Sequence, residues 1–181
     1  GFKGLNDLVF ARNGDLYFTD QGQTGVQDPT GRVWRASPEG RLECLIGNGP
    51  SPNGIALSPD ESALYVAMTR ANCMWHLPLR EGVPSKGGVF ASLPGMHGPD
   101  GLAMDEAGNL SVGHARVCIV WIISPMGEML WAIRAPEGGG RLTNIAYGWP
   151  DRDHLYITDS YRGRVLRCKV PVPGLTLYSH Q

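Results

Sequence analysis

Short apolar runs separated by polar turns recur along this chain, and no stretch holds a helical period. Four segments share one pattern: "NDLVFARNGDLYFTD" (6–20), "NGIALSPDESALYVAM" (53–68), "DGLAMDEAGNLSVGH" (100–114) and "TNIAYGWPDRDHLYITD" (143–159). Each reads as an apolar strand, a turn carrying Gly or Asp, and a second apolar strand. The starts at Asn6, Asn53 and Asp100 are 47 residues apart, and Thr143 follows after 43. A third strand-like run comes behind each pair: "GRVWRAS" (31–37), "CMWHLPL" (73–79), "VCIVWIIS" (117–124) and "GRVLRCKV" (163–170). Runs such as "RLECLI" and "MLWAI" supply a fourth. Four short strands in a repeat of roughly 40–50 residues predict an all-β fold of propeller blades. About four blades of four antiparallel strands fit in the single domain 1–181.

Blade geometry then places residues. Strands run antiparallel from the central axis outward, so Asn6, Asn53, Asp100 and Thr143 should all open inner strands at one face. The ends of the second strands, Asp20, Met68, His114 and Asp159, return beside them, and residues 21–30 should wall the same mouth. Two carboxamides and a carboxylate converging on an axis are hard oxygen donors, suited to Ca²⁺ or Mg²⁺, or to a less selective divalent site. Taken singly, Asn and Asp before a strand are ordinary turn formers; the matched positions are what raise them to candidates. The following residues, Asp7, Gly54, Gly101 and Asn144, are types that tolerate left-handed or unusual backbone, which points to local turn chemistry. Asp7 could also support Asn6 from behind. Asp100, the carboxylate of the set, could both ligate a cation and accept a proton from water. His97 and His114 are near enough in sequence to reach the same mouth, although a hydrogen-bonded loop histidine is the plainer reading of each.

Composition narrows the partners. Net charge is −1 with no run of like charges, which argues against nucleic acid or an anionic membrane. The longest apolar run, "VCIVWII", fits a buried strand and is too short to span a bilayer. No signal peptide is visible, and a cytoplasmic location is expected. Cys44, Cys73, Cys118 and Cys168 form no C-x-x-C pair, so they read as buried free thiols in strands. No nucleophile elbow, phosphate loop or H-E-x-x-H motif is present, and the glycine-rich "EGGGR" (137–141) leads into a strand.

At "NDLVFARNGDLYFTD", "GPSPNGIALSPDESALYVA", "GPDGLAMDEAGNLSVGHA", "TNIAYGWPDRDHLYITDS" and the ending "VPVPGLTLYSHQ", the chain resembles the gluconolactonase, regucalcin and luciferin-regenerating-enzyme family of six-bladed propellers. Within it, the chain is most similar to bacterial sugar-lactone hydrolases. The resemblance implies one divalent cation on the axis, with Ca²⁺ first and Zn²⁺, Mg²⁺ or Mn²⁺ as alternatives. A Glu, two Asn and an Asp would bind it. The Asn residues map to Asn6 and Asn53, and the Asp to Asp100, which would also serve as general base. Asp7, Asp20, His97 and His114 would line the substrate pocket. The implied Glu and about two N-terminal blades have no counterpart in this sequence, "LSVGH" stands for the usual "LYVAH", and Trp149 for a usual Gly.

The reaction implied is hydrolysis of a sugar lactone or related cyclic ester, with a small-molecule substrate. Organophosphate hydrolysis at the same kind of site is a variant within enzymes. The alternative from another class is a non-catalytic propeller module that binds a ligand or protein. In either case a homo-oligomer could cover the open blade edges.

Overall fold

The computed structural model describes residues 1–136 and 140–178; residues 137–139 of the glycine-rich stretch lie outside the described residues. Among the described residues, sixteen strands form four antiparallel sheets. The first holds β1 (Leu5–Phe10), β2 (Leu16–Asp20), β3 (Gly31–Ala36) and β4 (Leu42–Gly49). The second holds β5 (Pro52–Leu57), β6 (Ala63–Met68), β7 (Cys73–Arg80), the two-residue β8 (Val83–Pro84) and β9 (Gly88–Ser92). In the third are β10 (Pro99–Met104), β11 (Leu110–His114), β12 (Ile119–Ile123) and β13 (Met129–Arg134). The last contains β14 (Leu142–Tyr147), β15 (His154–Asp159) and β16 (Arg164–Lys169).

This is the propeller arrangement, with two departures from four strands per blade. The second sheet carries the extra β8 hairpin on β7, and the last sheet has three strands among the described residues. The run at 117–124 starts as a strand only at Ile119, because Ala115–Val117 form a 3₁₀ turn. All four cysteines are free, but Cys44 is exposed where a buried thiol was expected.

Burial alternation explains how the sheets stack. Three buried clusters lie between successive blades: Tyr17, Val33, Leu64 and Val66; then Tyr65, Met74, Leu102 and Leu110; then Val120, Ile122, Leu142 and Leu155. Each fully buried Val or Leu contributes about 1.5–3 kcal/mol relative to exposure. The outer flanks of the arc stay open. Leu5, Leu8 and Phe10 of β1 are exposed on one side, and Tyr156 and Val165 on the other.

The inner strands β1, β5, β10 and β14 lie side by side in that order about the axis. Each has a register irregularity at the same step. Leu5 faces Asp20, Pro52 faces Met68, Pro99 faces His114 and Leu142 faces Asp159, and in each case the ladder then shifts. Asn6, Asn53, Asp100 and Thr143 are therefore structural equivalents. Such irregularities bend a strand and re-aim its side chains.

Gly54 and Gly101 are explained by this contact and not by turn geometry, since neither has a positive φ. A Cβ on Gly54 would lie 2.2 Å from the Asp100 carbonyl oxygen, and one on Gly101 would lie 2.3 Å from Asn144 Oδ1. Local turn chemistry was the expectation for these positions; the finding is backbone approach between neighbouring blades.

At the opposite face residues 174–178 cross beneath the axis. Leu175 N donates to Met104 O (2.9 Å), Arg152 Nη1 donates to Gly174 O (2.8 Å), and the Tyr178 ring packs on Phe10 at 6.1 Å. An axial cavity of about 280 Å³ lies between, lined by Asp7, Ile55, Leu102 and Asn144 and floored by Leu175–Tyr178.

Candidate functional site

Asn53 and Asp100 meet. Asn53 is 6% exposed, and its side chain hydrogen-bonds the Asp100 carboxylate. Its backbone is held through Thr19: the Asp7 amide donates to Thr19 Oγ1 (3.0 Å), and Thr19 Oγ1 donates to Asn53 O (2.7 Å). Burial is the largest influence on Asp100; the Asn53 bond opposes it and the nearby Asp7 charge adds to it, leaving the carboxyl raised to about 6.

Asp7 comes close to this pair. Its carboxylate accepts hydrogen bonds from Leu8 N (2.9 Å) and Ile55 N (3.2 Å), so it ties β1 to β5. Burial raises its pKa, and those two amides pull it back. Asn6, expected to point inward, is exposed, and its Nδ2 donates to Gln21 Oε1 (3.0 Å). Gln21 in turn donates to Ser51 Oγ (2.9 Å), two residues before Asn53.

Asp20 does not line the mouth as expected. It is fully buried and accepts Lys3 N (2.6 Å), Gly4 N (2.7 Å) and Arg32 Nε (2.8 Å). Burial pushes its carboxyl up, but the Gly4 and Lys3 amides and Arg32 outweigh it and hold the pKa below the usual value. Asp159, its equivalent in the last blade, accepts Arg141 N (2.9 Å) and Arg164 Nε (3.1 Å). The sequence reading missed this shared device. Its signal was present: both blades carry "TD" at the end of the second strand and "GRV" at the start of the third.

His114 also turns away from the mouth. It is fully buried, its Nδ1 accepts from Trp121 Nε1 (3.2 Å), and its Nε2 meets Met96 O (2.9 Å). Since the indole can only donate, Nδ1 must accept, and Nε2 carries the proton to Met96 O. Burial lowers its pKa, against the Met96 bond and together with His97. His114 thus fastens the loop before Asp100. Asn72 Nδ2 holds the same loop at Leu93 O (2.9 Å) and Gly95 O (2.8 Å), and Thr69 Oγ1 donates to Pro99 O (2.7 Å). His97 (φ 77) and Gly98 (φ 53) make the sharp turn into Pro99–Asp100. A Cβ on Gly98 would sit 1.8 Å from Thr69 O, so only glycine fits.

Two hollows open at this face. One, about 420 Å³, is lined by Gln21, Thr24, Ser51 and Arg70. The other, about 460 Å³, is lined by His97, Arg116, Gly140, Arg141 and Tyr161. His97, a candidate from the sequence, lines the second hollow; the arginines were not singled out.

The donor set suits a hard cation. Asp20 and Asp159 are each paired with an arginine, whereas among the described residues Asp7 and Asp100 form no ion pair. A half-buried carboxylate pair with no basic partner is the charge that a divalent cation would balance. Among the described residues no cluster of three His, Cys, Asp or Glu could hold a metal, so such an ion would rest on two carboxylates at most, plus amide oxygens. No helix among the described residues is long and apolar enough to cross a membrane.

Comparison with known proteins agrees with the propeller fold. Residues 2–161 match the family described as SMP-30/Gluconolactonase/LRE-like region. The chain is 34% identical over 186 residues to a gluconolactonase of Zymomonas mobilis, covering 93% of this chain and 51% of that protein. It is 36% identical over 124 residues to the lactonase drp35 of Staphylococcus aureus, covering 64% of this chain and 38% of the relative. A solved gluconolactonase of Xanthomonas campestris superposes with a TM-score of 0.76 at 28% identity, over 96% of this chain and 58% of that one. The chain thus spans about half the length of the Zymomonas relative, and less of the staphylococcal one.

Proposed function

Because the chain belongs to the SMP-30/Gluconolactonase/LRE-like family, we propose that its axial site hydrolyses a sugar lactone or related cyclic ester, aided by a bound divalent cation. The observation that carries the reading is the pair of axial carboxylates, Asp7 and Asp100, held without a basic partner beside the buried amide of Asn53.

Asp100 and Asn53 would hold the cation, with Asn6 joining if its carboxamide releases Gln21. Ca²⁺ suits the oxygen donors best, and Mg²⁺, Mn²⁺ or Zn²⁺ are alternatives. When bound, the ion polarises the lactone carbonyl and acidifies water. Asp100 accepts one proton of the attacking water as its oxygen adds to the carbonyl carbon. The ring C–O bond then breaks, and the proton passes to the departing alkoxide, giving the open hydroxy acid. Asn53 orients the Asp100 carboxylate through their hydrogen bond, and Asp7 keeps β1 and β5 in register behind it. The floor at Leu175–Tyr178 confines approach to the mouth.

Lactone hydrolysis followed by acid release, with and without added Ca²⁺, tests the reading. Asp100→Asn should lower kcat/KM by at least about 10²-fold and weaken Ca²⁺ binding by calorimetry. Full metal-dependent activity in that variant, or hydrolysis indifferent to divalent ions, would overturn it.

A second reading has one observation in its favour. The exposed Leu5, Leu8 and Phe10 on one flank and Tyr156 and Val165 on the other suit a binding module completed by another copy of the chain. Light scattering that shows only monomer at micromolar concentration would count against it.

A further inference from the structure

Most arginines whose side chains are engaged in this molecule are engaged by carboxylates. Arg32 holds Asp20, Arg35 holds Glu43, Arg152 holds Glu106 and Arg164 holds Asp159. At the mouth the pattern changes. Arg70, Arg116 and Arg141 are exposed there, and among the described residues their side chains form no ion pair or hydrogen bond.

The placement is built into the repeat. Arg70 is the middle residue of the 3₁₀ turn Thr69–Ala71 that follows β6, and Arg116 is the middle residue of the turn Ala115–Val117 that follows β11. Each turn ends on a left-handed residue, Asn72 (φ 53) or Cys118 (φ 57). The same corner of two adjacent blades therefore presents a guanidinium. Arg141 is fixed from behind, its backbone amide bound to the buried Asp159 (2.9 Å), so its side chain rises from an anchored point. Since the chain as a whole carries a charge of −1, the positive rim is local and not a reflection of general basicity.

We propose that this rim, Arg116 and Arg141 foremost and Arg70 in the neighbouring hollow, binds an oxyanion carried by the substrate. The preferred lactone then bears a carboxylate or phosphate group away from its ring carbonyl. The hollow of about 460 Å³ shared by Arg116, Arg141, His97 and Tyr161 is roomy enough for such a group. Guanidinium groups meet carboxylate and phosphate oxygens with paired hydrogen bonds, and free ones have no internal partner to give up. The carboxylates Asp7 and Asp100 lie at the axis, so the arrangement sorts the substrate end to end. Its neutral carbonyl goes to the axis and its charged end to the rim. This inference rests on the reading of the axis as a lactone-hydrolysing site.

The test compares glucono-1,5-lactone with 6-phosphoglucono-1,5-lactone and with the lactone of a sugar diacid. The unaltered chain, Arg116→Gln/Arg141→Gln, and Arg80→Gln as a charge control are assayed in parallel. The charged lactones should be favoured in kcat/KM by on the order of tenfold or more at low salt. That preference should fall at least several-fold in the double variant and with added NaCl, while the neutral lactone and the control are unchanged. Equal turnover of neutral and charged lactones, or a preference that survives the double substitution, overturns the inference. Calorimetry with glucose, glucuronate and glucose 6-phosphate separates it from the hydrolytic reading, because no bond is broken. Tighter binding of the charged sugars, lost in the double variant, upholds the oxyanion rim even if no lactone is hydrolysed. Equal binding of all three sinks it even if lactones are, and the glucuronate and phosphate arms show which oxyanion is preferred.

Discussion

Gly54→Ala tests directly whether the inner strands touch through backbone. The added Cβ would sit 2.2 Å from Asp100 O, 2.7 Å from Leu102 N and 2.9 Å from Gly101 C. Ordinary contact begins near 3.4 Å. All three obstacles are main chain of the next blade, so no side chain can swing aside. Overpacking costs about 1–3 kcal/mol, and the upper end applies where a whole strand must retreat by about 1 Å. For a domain of this size, about 3 kcal/mol corresponds to a Tm about 6–12 °C lower. Gly101→Ala, blocked by Asn144 Oδ1 at 2.3 Å and Asn144 Cα at 2.8 Å, should behave alike. Gly47→Ala is the control, because nothing lies within 4 Å of its Cβ and its φ is not positive. It should be neutral, or stabilising by a few tenths of a kcal/mol through the unfolded chain. Circular dichroism melts of the three variants measure the difference. Retreat of β10 from β5 also parts Asn53 from Asp100, so Gly54→Ala should weaken Ca²⁺ binding as well. If Gly54→Ala melts within about 2 °C of Gly47→Ala, a gap of less than about 1 kcal/mol, the close approach is wrong.

Three further substitutions probe the charges. Asp100 has a folded pKa of about 6, above its usual 3.8, so the folded state binds the proton more tightly. The metal-free protein should therefore gain stability as pH falls through 6 toward 4; linkage gives a ceiling of about 3 kcal/mol, and partial exposure reduces it to about 1–2. Asp100→Asn should stabilise the metal-free chain at pH 7 and leave it unchanged below pH 4, by urea melts; a loss at pH 7 contradicts this. Asp20 has the opposite sign, since its pKa is held below 3.8, so its stabilisation is present at neutral pH and fades as pH drops below 3.8. Asp20→Asn leaves Arg32 unpaired and should cost about 3 kcal/mol at pH 7 and much less at pH 3. His114 is buried neutral with a lowered pKa, so stability that is complete above pH 6.5 should erode as pH falls below it. His114→Phe should remove that slope, and hydrogen exchange at residues 94–98 should quicken as the Met96 anchor is lost; an unchanged slope would assign it to another group.

Much of this architecture is legible in the one-dimensional pattern because a repeat carries its own register. The 47-residue spacing that aligned Asn6, Asn53 and Asp100 is the same step at which each inner strand shifts its ladder. The second-strand ends fall opposite them as the antiparallel geometry requires. Register fixes which residues share a level, but it does not fix where a side chain turns at a strand end, and the sequence reading parted from the structure there. Asn6 turns to Gln21 on an open flank, whereas Asn53, walled by blades on both sides, turns to Asp100.

The same distinction separates the four acidic groups at this face. Asp20 and Asp159 stand at strand ends with an arginine one step into the next strand, and each carboxylate is spent on that arginine and on the amides of the loop before its own inner strand. Asp7 and Asp100 stand one or two residues into inner strands, and among the described residues neither carboxylate is paired with an arginine. Burial then raises both, and the fold offers them only amides. The propeller thus uses one residue type for two purposes set by distance from the axis. Outer carboxylates are neutralised within the chain and lock loops, while the inner ones have no basic partner among the described residues, the place the proposed cation would fill. Replacing an outer aspartate should therefore show first in stability, and replacing an inner one first in cation binding.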